Sequence, residues 1–219
     1  MNQPLQLIVF DWDGTLMDST GHITHAIRQA SAELGLRVPA LHQARAVIGL
    51  SLVEALATAC PDLPPSRYPE MVAAYRKHFF TGDEHIELFD GVREALAALS
   101  ARDVMLAVAT GKSRRGLERA LQSSGLGDYF AATRTQDDCP SKPHPAMLLE
   151  LMDQLGADPA CTLMVGDTSH DLRMAEAAGT LAAGVLGGAH EREALARCPS
   201  LGLFDDFRSL HAWLMTRIA

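Results

Sequence analysis

The sequence predicts an α/β fold: a doubly wound, Rossmann-like parallel sheet interrupted near its N-terminus by an α-helical insert. Three observations carry this expectation. From residue 89 onward, short apolar runs alternate with amphipathic stretches, the pattern of strands joined by helical crossovers. Strands alternating with helices in this way imply a parallel sheet covered on both faces, and the apolar run at residues 5–10 supplies a buried strand for it. Between residues 18 and 85 the strand pattern stops and helical periodicity takes over.

Taken in order, residues 5–10 (LQLIVF) form an apolar run that stops at an acidic cluster and read as a buried strand. THAIRQASAELG, SLVEALATAC and PEMVAAYRKHFF have helical period and are separated by Gly35, Pro39 and the PDLPP stretch. After Phe89-Asp90-Gly91 the alternation begins. VREALAALS reads as helix, VMLAVAT as strand, SRRGLERALQSSG as helix with Gly125 as its C-cap, and YFAATR as a weak strand. PAMLLELMDQLG then reads as helix, CTLMVG as strand, SHDLRMAEAAG as helix and TLAAGVL as strand, before a short helix, a strand and FRSLHAWLM. The expected division is an α/β core of residues 1–17 plus 86–219 and an α-helical insert of residues 18–85.

Composition narrows the function classes. The 219 residues are 47% hydrophobic and 21% charged, which suits a chain with a real core. A net charge of −8 argues against nucleic acid as a partner, because backbone binding needs an excess of Lys and Arg. It still permits a small anion in a cleft whose field a metal ion or a few cations reverse. No apolar run reaches the roughly 18–20 residues that span a bilayer, and MNQPLQLIVF lacks the basic flank of a signal peptide. Cys60, Cys139, Cys161 and Cys198 form no CxxC pair and read as reduced thiols of a cytoplasmic protein. The cations are nearly all Arg. Of the three lysines, Lys77, Lys112 and Lys142, the last two sit in Gly/Pro-punctuated loops after apolar strands, where a compact point charge has a use.

In a doubly wound sheet, ligands bind beyond the carboxyl ends of the strands. Four polar clusters fall there. In Asp11-Trp12-Asp13-Gly14-Thr15, residues i and i+2 of an extended chain point the same way, about 6–7 Å apart, so both carboxylates can share one site. Such a pair repels unless a cation or a shared proton compensates; the same residues also suit a polar strand end entering a turn at Gly14. Thr110-Gly111-Lys112-Ser113 suits a phosphate at a helix N-terminus, and equally a plain helix entry capped by Ser113. Ser141-Lys142-Pro143-His144-Pro145 holds Lys142 rigidly where it can neutralise phosphate charge, or is a stiff turn before a helix. Gly166-Asp167-Thr168-Ser169-His170-Asp171 places two carboxylates four residues apart on one side, although acids at a helix start also serve as caps. Carboxylate ligands without His or Cys select Mg²⁺ over Zn²⁺. There is no GxxxxGK[ST] and no GxGxxG, so neither a nucleotide P-loop nor a dinucleotide site is supported.

DWDGTLMDS, VATGK, SKPHP and GDTSHD occur in this order. With them the whole chain resembles the haloacid dehalogenase (HAD) superfamily, in its phosphatase branch with a helical cap after the first strand, phosphoglycolate phosphatases among them. Trp12 departs from the smaller or different apolar residue usual at that place. The resemblance implies that Asp11 is the nucleophile and forms an aspartyl-phosphate, and that Asp13 is general acid for the leaving group and then base for water. It implies that Thr110 and Lys142 hold the transferring oxygens, with Gly111 and Lys112 beside them. It further implies Mg²⁺ bound by Asp11, by the backbone carbonyl of Asp13 and by Asp167, with Asp171 in or next to the shell. Arg45, Gly49 and Ser51 in the RAVIGLS turn, together with Tyr75 and His78, are candidates for substrate selectivity; Lys112 and Arg114 are candidates for the substrate's far end.

The implied activity is Mg²⁺-dependent hydrolysis of a small phosphorylated metabolite, of phosphoglycolate, sugar-phosphate or pyrophosphate type, by a monomer or homodimer. Asp13 argues against the dehalogenase branch, because a halide leaves without a proton. Lys77 is the only lysine of the insert and lies near its end, which argues against imine-forming phosphonate hydrolases. The alternatives are a sugar-phosphate mutase with a similar cap and, from another class, a phospho-accepting signalling domain or a non-catalytic phosphate-binding protein. A signalling domain of that kind is shorter, lacks a helical insert, and carries its paired acids at strand one and its phosphorylated Asp later in the chain, whereas here the expected phospho-acceptor is Asp11 itself.

Overall fold

A computed structural model describes residues 4–81 and 86–218. Its strands are β1 (Leu7–Phe10), β2 (Met105–Ala109), β3 (Ala132–Arg134), β4 (Thr162–Gly166), β5 (Leu181–Val185) and β6 (Leu203–Phe204). They form one parallel sheet in the order β3-β2-β1-β4-β5-β6. The chain therefore runs outward from β1 to β3, returns to the other side of β1, and runs outward again to β6. That reversal places the topological switch point at the carboxyl ends of β1 and its two neighbours, where ligands bind in such sheets.

The unbroken apolar run LIVF follows from this central position. Leu7 and Val9 face one side of the sheet, and Ile8 and Phe10 the other, all four fully buried. Burying each such side chain contributes roughly 1.5–3 kcal/mol. The strand spans Leu7–Phe10 rather than residues 5–10, and the Gln6 backbone still continues its ladders, donating its N–H to the Cys161 carbonyl at 2.8 Å and accepting from the Met105 N–H at 2.9 Å. The weak strand YFAATR is likewise reduced to β3, with a 3₁₀ turn over Gly127–Tyr129 before it.

Between β1 and β2 the insert contributes α1 (Thr20–Glu33), α2 (Leu41–Ala46), α3 (Leu52–Ala59) and α4 (Tyr68–Phe79). These helices share an apolar cluster of their own, with Ile27, Ala44, Leu56 and Met71 buried in it. The short α2 was not expected from the sequence. Its start is fixed locally by the Gln43 side chain, whose Oε1 accepts from the Ala40 N–H at 2.9 Å. The expected end of the insert at residue 85 lies outside the described residues.

The crossover helices are α5 (Val92–Ser100), α6 (Arg114–Ser124), α7 (Ala146–Leu155) and α8 (Ser169–Ala178), followed by α9 (Arg192–Leu195) and α10 (Phe207–Leu214). α5 and α10 cover the face of Ile8 and Phe10 through Leu96, Leu99, Phe207 and Leu210; α7 and α8 cover the face of Leu7 and Val9 through Met147, Leu151 and Leu172. The predicted α/β fold with both faces covered is the fold observed. Among the described residues, no helix is long and apolar enough to cross a membrane.

Candidate active site

β1 ends at Asp11, whose N–H still donates to the Val165 carbonyl of β4 at 2.9 Å. The chain then turns tightly: the Trp12 carbonyl accepts from the N–H groups of Leu16 and Met17, each at 3.0 Å. Gly14 makes the turn possible. Its φ is +85°, and a Cβ there would lie 2.2 Å from Asp167 Oδ2. The turn carries Asp13 to the cavity side, where Ser19 Oγ donates to Asp13 Oδ1 at 2.6 Å and Lys112 Nζ lies 2.9 Å from the same oxygen.

The second carboxylate group comes from β4 and the start of α8. Asp167, fully buried, accepts from Thr15 Oγ1 at 2.7 Å and from the Ala189 N–H at 2.7 Å. Asp171 accepts from Thr168 Oγ1 at 2.6 Å and from the Thr168 N–H at 3.1 Å, closing a capping box at the helix start. Both readings of this motif therefore hold together: Asp171 caps a helix and also faces the strand ends. Lys142 spans the two groups. Its Nζ lies 2.8 Å from Asp11 Oδ1 and donates to Asp171 Oδ1 at 2.6 Å, with the side chain sealed from solvent.

These contacts set the charge balance. Burial raises the Asp11 pKa well above its ordinary value; Lys142 opposes the shift, and the charges of Asp171 and Asp167 add to it. Burial and the Asp171 charge push Asp167 up to about 7 against the pull of its two donors. Burial would push the Lys142 ammonium down, but Asp11 and Asp171 more than reverse this and hold it charged.

The donor set fits a hard divalent cation. Ligand oxygens of Asp11, Asp167 and Asp171 lie within 4.8 Å of one another, all buried. Lys142 alone does not neutralise three carboxylates. Although Asp11 Oδ1 is close to Lys142, neither Asp11 oxygen accepts a well-directed hydrogen bond among the described residues. Two buried oxygens without directed donors are costly unless something else coordinates them. The Asp13 carboxylate stands apart from this cluster, on Ser19 and Lys112.

Thr110 ends β2, buried, with its N–H donated to the Arg134 carbonyl at 3.0 Å. Thr110, Gly111 and Lys112 line a cavity of about 500 Å³ that also reaches Asp11 and Asp13. Ser113 caps α6, as the plain helix-entry reading anticipated. The insert closes over these loops: a Cβ on Gly111 would lie 2.4 Å from the Leu50 carbonyl oxygen.

The turn after α2 docks on the core through several hydrogen bonds. The Ala46 carbonyl faces His170 Nε2 at 3.3 Å and His190 Nε2 at 3.2 Å. His190 Nδ1 accepts from the Ser169 N–H at 3.0 Å, which leaves the His190 proton on Nε2. The Ser51 N–H donates to Ser141 Oγ at 2.8 Å, and the Leu52 N–H to Gln136 Oε1 at 2.7 Å.

Three candidates for substrate contact sit elsewhere than the sequence reading expected. Arg45 belongs to α2, not to a turn, and its Nη2 donates to the Gly188 carbonyl at 2.7 Å. Ser51 caps α3 and donates to Glu54 Oε2 at 2.7 Å. Neither lines the cavity; both hold the insert together or to the core. Arg114 turns away to Thr133 Oγ1 and Asp138. Tyr75 does line the cavity, whereas His78 pairs with Glu33 at 2.6 Å. The sequence reading did not single out Ser19, Phe79 or the histidine pair; nothing in their local patterns marks them.

The chain matches the model of the haloacid dehalogenase-like hydrolase family over residues 8–185. It is 36% identical over 208 residues to a Dickeya dadantii protein named "Probable phosphatase IndB", covering 92% of this chain and 90% of that one. It is 34% identical over 186 residues to a phosphoglycolate phosphatase of Thiobacillus denitrificans, covering 80% of this chain and 81% of that one. The crystal structure of a predicted phosphoglycolate phosphatase from Haemophilus somnus superposes with a TM-score of 0.83 at 26% identity, over 95% of this chain and 97% of that one.

Proposed function

This chain belongs to the haloacid dehalogenase-like hydrolases, and from that premise we propose that it is a Mg²⁺-dependent phosphatase of small phosphorylated metabolites, acting through an aspartyl-phosphate on Asp11. The observation that carries this reading is Asp11 itself. It is a buried carboxylate at the switch point, held by Lys142 and short of directed donors, at the wall of a cavity it shares with Asp13.

A carboxylate is a weak nucleophile and is repelled by a phosphate dianion. Mg²⁺ held by Asp11, Asp167 and Asp171 would supply charge neutralisation for both. Lys142 holds Asp11 in place and adds positive charge beside it. Thr110 and Gly111, which line the cavity at the end of β2, would orient phosphate oxygens through the Thr110 hydroxyl and the Gly111 N–H. Asp13 is free of the carboxylate cluster, so its side chain can give a proton to the departing alcohol and then take one from water. The presence of Asp13 also separates this chain from dehalogenation.

Residues 18–85 act in this proposal as a cap whose turn after α2 closes the cavity. Hydrolysis is preferred to mutase transfer because the relatives described above carry phosphatase names. Phosphoglycolate enters as a candidate substrate through one of those names, beside sugar phosphates and pyrophosphate. The four buried cysteines, none of them in a disulfide, accord with a reducing cytoplasm. The test is hydrolysis of p-nitrophenyl phosphate. EDTA should abolish it, Mg²⁺ should restore it, Ca²⁺ should do so poorly because its coordination is looser, and Asp11→Asn should remove it. Full activity in the metal-free enzyme, or in Asp11→Asn, would overturn the proposal.

A further inference from the structure

We infer that the preferred substrate is a phosphomonoester whose alcohol carries a bulky apolar, ring-bearing body, and not a two-carbon acid or a sugar. The inference rests on the phosphatase reading and concerns only the alcohol that leaves the phosphorus with a proton from Asp13. Its first support is size. The cavity beside Asp11 and Asp13 measures about 500 Å³, within the roughly 300–1,000 Å³ of sites that enclose drug-sized ligands. A phosphoryl group with a glycolyl tail would leave most of it unfilled.

The second support is the wall itself. Ile23, Ile27, Ile48, Leu52, Tyr75 and Phe79 face the cavity from the insert. The aromatic part of this wall begins next to the chemistry. Lys112 Nζ lies 2.9 Å from Asp13 Oδ1 and 5.1 Å from the centroid of the Phe79 ring, and Tyr75 stacks on Phe79 with centroids 5.7 Å apart and planes at 25°. A leaving group that takes its proton from Asp13 therefore has aromatic faces within its first few bonds.

The third support is how the cavity's cations are placed. Lys112 is ion-paired to Asp13. Arg93 donates to the Ser124 carbonyl at 2.6 Å, and Arg119 lies over Phe80, 4.8 Å from the ring centroid. Gln136 Oε1 is taken by the Leu52 N–H, and Ser113 Oγ accepts from the Gly116 N–H. Arg76 also lines the cavity, but a carboxylate or a set of sugar hydroxyls laid against the isoleucines, Leu52 and the two rings would give up water without replacing its hydrogen bonds, which is unfavourable. A ring or an alkyl chain gives up nothing there and gains burial.

The test is a ladder of primary alkyl phosphates with similar leaving ability: ethyl, n-butyl, 2-phenylethyl and 2-naphthylethyl phosphate, with phosphoglycolate and glucose 6-phosphate alongside, all in Mg²⁺. We expect n-butyl phosphate to exceed ethyl phosphate in kcat/KM by about four-fold per buried methylene, and 2-phenylethyl phosphate to exceed it by about ten- to a hundred-fold, the range for burying one aromatic ring. Both polar esters should fall below it. Calorimetric titration with ethylphosphonate and 2-phenylethylphosphonate should give the same order, and Phe79→Ala should compress the phenylethyl-to-ethyl ratio. A flat ladder, or phosphoglycolate or glucose 6-phosphate ahead of 2-phenylethyl phosphate, overturns the inference and leaves the phosphatase reading standing. If no ester is hydrolysed, the phosphatase reading fails instead. The phosphonate titration then decides: equal or absent binding of the two phosphonates overturns the inference as well.

Discussion

Replacing Lys142 by Met keeps the bulk of the side chain and removes the ammonium that Asp11 and Asp171 both contact, at 2.8 and 2.6 Å. All three side chains are sealed from solvent, so water cannot take over the lost charge. Breaking a buried ion pair by deleting one partner costs about 3–5 kcal/mol, because the other partner stays buried and uncompensated. For a domain of this size each kcal/mol shifts the midpoint by roughly 2–4 °C, so the metal-free variant should melt about 6–20 °C below the parent. Protonation offers partial relief. Asp167 is pushed up to about 7, from 3.8, by burial and by Asp171. Because its folded-state pKa is raised, its contribution to stability is complete below about pH 3.8 and is lost as the pH rises through 7. Removing the ammonium raises the pKa values of Asp11 and Asp167 further, because Lys142 lowers both, so the variant's penalty should be smaller at pH 5 than at pH 8. Mg²⁺ should restore more stability to the variant than to the parent, since it no longer meets a neighbouring ammonium; at a hundred times its Kd, a bound ion adds about 2.7 kcal/mol. Thermal unfolding followed by circular dichroism, at both pH values, in EDTA and in Mg²⁺, reads all of this. Equal midpoints in EDTA at pH 8, or a penalty independent of pH, would refute the assignment of Lys142 as the charge that the buried carboxylates require.

Two further substitutions separate roles within the site. Asp13→Asn should lose about 10²–10⁴-fold on alkyl phosphates, whose alkoxides need a proton, and far less on the first step with p-nitrophenyl phosphate; rapid mixing should show a nitrophenolate burst with phosphate retained on Asp11, and equal losses with no burst would count against Asp13 as acid and base. Gly111→Ala places a Cβ 2.4 Å from the Leu50 carbonyl, so the turn after α2 must lift; hydrolysis of the preferred substrate should fall at least several-fold with little change in melting temperature, and unchanged kcat/KM would mean that the insert does not close on this loop in turnover.

The legible part of the molecule was the part whose signals are local. The run LIVF announced a strand buried on both sides because its two faces meet different helix layers. Asp11, Asp13, Thr110 and Asp167 follow strand ends, Asp171 sits in the first turn of α8 and Lys142 in the loop before α7, and the parallel topology brings these segments to one edge of the sheet. What escaped the sequence depends on partners without a side-chain signature. Arg45 reads as a free cation, yet its partner is the backbone carbonyl of Gly188. Ser51 reads as a hydroxyl near the cleft, yet helix capping claims it. Phe79 has the spacing of an ordinary amphipathic helix; only the docking of α4 over the cleft makes it, beside the expected Tyr75, a wall for ligand.

The central position of β1 sets a constraint on biosynthesis. Leu7 pairs with Met105 and with Thr162, so the first strand to leave the ribosome waits for both of its neighbours. At about 5–20 residues per second, that wait is on the order of ten seconds or more, during which an apolar strand keeps one or both edges open. The helices that follow β1 close their own apolar cluster around Ile27, Leu56 and Met71, so they can compact while β1 is still unpartnered. A nascent chain arrested before Thr162 should therefore present folded helices beside a chaperone-accessible first strand, and release past β4 should bury it.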